Sequence, residues 1–162
     1  MGDDISLAHA EPAFACGRRG PLVVLVWRGE PTSECLERSF DVLTRVIEAA
    51  GGRIGIIALI ESGSPPPALA LFPGIARQLD GLGGMIATAA VLEDRGALGV
   101  RVLDGLGKVI QLAARRLPTR VCADVPEAAS WMAARLGVPS TDAFRRDAVE
   151  LAERVRASLD TA

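Results

Sequence analysis

Pro21-Leu22-Val23-Val24-Leu25-Val26-Trp27 is an unbroken apolar stretch, and Ile54 to Ile60 and Met85 to Leu92 repeat its character. A strand wet on one face alternates polar and apolar residues. A run apolar throughout belongs to a strand covered on both faces. Between the runs, apolar residues recur at helical spacing: Leu36, Phe40, Leu43, Val46, Ile47 and Ala50, then Leu69, Phe72, Ile75, Ala76 and Leu79. Buried strands alternating with amphipathic helices imply crossover units, a mostly parallel sheet and helices on its faces.

Local signals set the boundaries. Thr32 or Ser33 caps the first helix and Gly51-Gly52 ends it. Pro73 kinks or splits the second helix. The stripe Leu98, Val102, Leu103, Leu106, Val109, Ile110 and Ala113 predicts a long third helix, followed by a brief strand from Arg120 to Ala123. Asp124, with Glu127 three residues on, forms a capping box. The helix it opens buries Ala128, Met132 and Leu136, with Trp131 as its buried anchor. A last helix starts at Ser140 or Thr141 and carries Phe144, Ala148, Leu151, Val155 and Leu159 on one face.

Ala13 to Cys16 reads as a weak edge strand in a hairpin with the central strand, and residues 1–12 as a loose tail. The expected fold is therefore α/β: a mixed, mostly parallel five-stranded sheet over residues 13–137, with an additional helix in 138–162. The apolar face of that helix needs cover, either from its own domain or from a second copy in a homodimer; the dimer is the expectation here.

Composition narrows the function. Of 162 residues, 49% are hydrophobic and 23% charged, the balance of a globular chain. A net charge of −2 gives no basic excess for nucleic acid. Cys16, Cys35 and Cys122 are odd in number and far apart, as expected of reduced thiols in a cytoplasmic protein. Met1-Gly2-Asp3-Asp4 has no secretory character, and the apolar runs are too short to span a bilayer. A single histidine, His9, offers neither a metal set nor an ordered relay to a nucleophile. Gly105-Leu106-Gly107-Lys108 fails the phosphate-loop pattern at Val102 and Val109. No metal, cofactor or catalytic residue is expected.

The element order, and above all Arg120-Val121-Cys122-Ala123-Asp124-Val125-Pro126-Glu127-Ala128-Ala129-Ser130-Trp131-Met132, resembles the SpoIIAA-like, STAS-type family. Its outline is shared with Sec14-like lipid carriers. The likeness implies a non-enzymatic regulatory module that binds a protein partner. In STAS anti-sigma-factor antagonists, a serine at the start of the helix after the third strand is phosphorylated to control that binding. The resemblance puts Ser62 and Ser64 in this region, within Glu61-Ser62-Gly63-Ser64-Pro65-Pro66-Pro67 rather than Asp-Ser-Ser-Gly, so they are expected to be exposed but poor phosphorylation targets.

Ligands of open α/β sheets bind beyond the carboxyl ends of the strands. Glu61, Glu93 and Asp94 follow such ends. The proline-stiffened loop, with Ser62, Ser64 and Pro66, is pre-ordered for binding. Together with Phe72, Glu93 and Trp27 it makes up the candidate partner or ligand surface. Two other readings stand beside the module: a carrier of a small apolar ligand or lipid, drawn from the small residues Ala87 to Ala90, and an enzyme of unknown class.

Overall fold

The computed structural model describes residues 4–65, 68–93 and 117–162. Among them the chain is α/β, with a six-stranded mixed sheet whose strands lie side by side in chain order. The strands are β1 (Ser6–Glu11), β2 (Phe14–Arg19), β3 (Leu22–Trp27), β4 (Ile54–Ile60), β5 (Met85–Leu92) and β6 (Thr119–Cys122). The pairs β1–β2 and β2–β3 are antiparallel; β3 to β6 are parallel. The helices are α1 (Ser33–Ala50), α2 (Phe72–Gly81), α3 (Val125–Leu136) and α4 (Asp142–Leu159). The long helix expected over Leu98 to Ala113 lies outside the described residues.

Alternation along β3 divides the core. Leu22, Val24 and Val26 face α3 and α4, while Val23, Leu25 and Trp27 face α1. Both sets are buried, so the run is apolar throughout. Thr32 caps α1, its Oγ1 accepting from the Cys35 N–H at 3.2 Å. Asp124 caps α3 by accepting from the Glu127 N–H at 2.8 Å, and Glu127 reaches back to accept from the Ala123 N–H at 2.7 Å. Thr141 caps α4 in the same manner.

Several expectations meet the structure differently. The sheet has six strands because residues 6–11, expected in a tail, form β1 against β2. His9 is therefore in a strand, bonded to Glu11 at 3.2 Å and stacked on Phe14 at 5.1 Å. β2 is consequently an interior strand, with Phe14, Ala15 and Cys16 fully buried, and not a weak edge. The helix expected over Leu69 to Leu79 is divided, as Pro73 suggested: a 3-10 turn, Leu69–Leu71, gives way to α2, with Pro73 in its first turn, where its missing N–H costs nothing. Trp131 is only partly buried, its ring under the Arg135 guanidinium at 5.2 Å, while its neighbour Met132 is fully buried.

The last correction concerns α4. Phe144, Ala148, Leu151, Ala152, Val155 and Leu159 are buried against this chain's own sheet and α3. β2 admits the helix at Gly17, where a Cβ would lie 2.6 Å from the Val155 side chain. The apolar stripe thus already has cover, which removes the motive for a dimer through it. The helix belongs to the same core as residues 13–137. No helix among the described residues is long and apolar enough to cross a membrane.

Candidate functional site

Parallel register decides what meets at the carboxyl edge of the sheet. Trp27 pairs with Ile60, and Ile60 with Leu92. The next residues, Arg28, Glu61 and Glu93, are therefore neighbours in space. The Glu61 N–H donates to the Trp27 carbonyl at 3.1 Å and the Glu93 N–H to that of Ile60 at 3.1 Å, extending the ladder one residue past each strand.

These three charges join two from the end of α4. Arg28 holds Glu61 with two bonds, Nε to Oε2 at 2.6 Å and Nη2 to Oε1 at 3.2 Å, and its Nη1 reaches Asp160 at 2.8 Å. Arg156 Nε lies 3.1 Å from Glu61 Oε1 as an ion pair, though not aligned as a hydrogen bond, and its Nη2 bonds Glu93. Two guanidiniums thus alternate with three carboxylates. The bond to Glu61, then that to Asp160, raises the Arg28 pKa above its ordinary value. Bidentate, charge-assisted bonds of this kind fix geometry as well as charge.

The turn after β4 rests on this chain. The Ser64 N–H closes onto the Glu61 carbonyl at 3.1 Å, with Gly63 at φ 82°, the left-handed position that a type II turn reserves for glycine. The Ser62 N–H donates to Glu93 Oε2 at 3.3 Å. The Gly29 N–H donates to Ser64 Oγ at 2.9 Å. The Ser62 side chain makes no bond to a described residue and the residue is exposed. Ser64 is half-buried, contrary to the expectation that both serines are exposed.

The expected site residues fall into two groups. Ser62, Ser64 and Glu93 come together at the carboxyl edge. Trp27 and Phe72 are buried instead in an apolar groove on the α1 face, about 140 Å³ in volume, with Leu36, Phe40, Ile75 and Leu79 among its walls. Ser39 and Thr88 also line it, but their hydroxyls are bonded to the Leu36 and Ile56 carbonyls. Pro66 and Asp94 lie outside the described residues. On the opposite face a cleft of about 470 Å³ runs between the ends of β4 and β5, the start of α3 and the flank of α4; Leu59, Val91 and Val149 line it along with Glu93, Asp124 and Arg156.

Arg28, Arg156 and Asp160 were not foreseen as site residues. A charged residue directly after each of the first three buried strands is the signal that points to Arg28. Nothing in the local sequence points to the other two. No protein-family model matches the chain, and no curated protein or solved structure does so either.

Proposed function

We propose that this chain is a STAS-like regulatory module that binds a protein partner with the surface around Ser62 and Ser64. The observation that carries the reading is the braced turn. The turn from Glu61 to Ser64 is held at its start by Arg28 and Glu93 and at its end by the Gly29 N–H, so it presents one shape and loses little freedom on binding. After β1, the order strand, strand, helix, strand, helix, strand, then short strand and Asp-capped helix supports this reading. Affinity capture from the native host tests the reading. A partner retained by the parent protein and lost with Ser62→Arg supports it. Equal retention by both, or no retained protein, contradicts it.

A second reading has its own observation, the apolar groove beside Trp27. At about 140 Å³ it suits a ring-sized apolar group. A lipid or drug-sized ligand requires roughly 300–1,000 Å³, so the groove favours a small aromatic or aliphatic ligand over a lipid chain. Quenching of Trp27 fluorescence by such a compound, measured in a Trp131→Phe background, would support it; no change across a series of ring compounds would remove it.

A further inference from the structure

We propose that the end of α4 sets the shape of the Ser62–Ser64 turn, with Arg156 and Asp160 as positioning residues for that surface. Each side of the turn is tied to one of them. Asp160 holds Arg28 at 2.8 Å; Arg28 grips Glu61, the first residue of the turn, and precedes Gly29, whose N–H binds the Ser64 hydroxyl. Arg156 holds Glu93, whose other carboxylate oxygen takes the Ser62 N–H at 3.3 Å.

The position of Asp160 is an independent sign. It occupies the C-cap of α4, where the helix dipole repels a carboxylate. Its ion pair with Arg28 offsets that cost. The helix itself does not depend on these charges, because Leu151, Val155 and Leu159 anchor it in the core. The turn has no such anchor: Ser62 and Gly63 are exposed. A fixed helix therefore steadies a loose turn rather than the reverse. It follows that whatever binds the end of α4, or removes it, alters the surface at Ser62. The meaning of this for partner binding rests on the reading proposed above; the ordering of the turn does not.

Amide hydrogen exchange on the full chain tests it. Arg156→Gln and Asp160→Asn should each speed exchange at the Ser62 and Ser64 amides by about tenfold, leaving exchange at Leu151 and Ala152 unchanged. Arg154→Gln should change neither, since among the described residues Arg154 pairs with Glu150 alone, at 3.7 Å. Salt at 1 M, where the screening length falls to about 3 Å, should reproduce the effect in the parent. Exchange at Ser62 and Ser64 equal to the parent in Asp160→Asn overturns the proposal. That variant decides alone if Arg156→Gln fails to fold, because the Asp160 side chain is 66% exposed. If exchange rises while the captured partner is retained unchanged, the positioning role stands and the partner surface has been misplaced.

Discussion

Met132 of α3 lies so close over Gly55 of β4 that a Cβ on the glycine would stand 2.2 Å from the Met132 sulfur and 2.7 Å from its Cγ. The missing side chain is what lets the helix seat on the sheet. Met132 is fully buried and has little room to retreat. Gly55→Ala should therefore destabilise the chain by about 1–3 kcal/mol, as overpacking does, and Met132→Ala by about 2–5 kcal/mol. In the double variant the costs should not add, since the truncated methionine makes room for the new methyl. Urea midpoints of the three variants check this; additive losses would contradict the contact.

The cysteines should react at very different rates. Burial pushes the Cys16 thiol up to about 12. Burial, aided by Glu127, pushes Cys122 up to about 11. Neither forms appreciable thiolate at pH 8. Cys35 is only partly buried, in the first turn of α1. One thiol should therefore react quickly with a maleimide in the native protein, and Cys35→Ser should abolish that phase. The remaining two should react only in denaturant. Fast labelling that survives Cys35→Ser would show the assignment wrong.

β1 should loosen in acid through Glu11. The Arg38 hydrogen bond, then the one from His9, holds the Glu11 carboxyl below its ordinary value of 4.5. A carboxylate with a depressed folded pKa contributes stability that is present above its unfolded pKa and lost as pH falls through the folded one. Exchange of the β1 amides should accelerate as pH drops below about 4.5, after correction for intrinsic rates. Glu11→Gln should remove that step, at the cost of a looser β1 at neutral pH. An acid step of the same size in both proteins would contradict the role of Glu11.

The apolar stripe of α4 is satisfied within one chain, so its loss should appear as instability and not as dissociation. Leu151→Ala should cost about 2–5 kcal/mol without changing the mass seen by light scattering. Deleting the residues after Gly137 should expose the sheet face and yield insoluble or molten protein. A full-length dimer that becomes a well-folded monomer on this deletion would contradict the fold-back.

The strands and caps were legible because each is a local property. Leu22 to Trp27 is apolar on both faces, and Thr32 or Ser33, Ser140 or Thr141, and the Asp124–Glu127 pair announce helix starts to within a residue through their own side chains. β1 was not legible, because Ser6-Leu7-Ala8-His9-Ala10-Glu11 is largely exposed and gains its order from backbone pairing with β2. Even its Leu7 is 51% exposed, so it carries little hydrophobic signal. Trp131 misled because an aromatic at helical spacing predicts burial, whereas the adjacent Met132 points into the core. At the site, Ser62, Ser64 and Glu93 could be foreseen from their places after strands. Their assembly with Arg28, Arg156 and Asp160 is set by strand register and by where α4 crosses the sheet, and both are long-range properties that no window of sequence contains.

The central claim is that the braced turn at the carboxyl edge is the surface a protein partner reads. Site-specific photo-crosslinking in the native host tests it most directly. A photoreactive residue at position 62 or 65 should give one discrete adduct with a second protein. The same probe at position 134 or 143, exposed on α3 and α4 away from the turn, should give none. An adduct of equal yield at all four positions, or none at 62 and 65, would contradict the account.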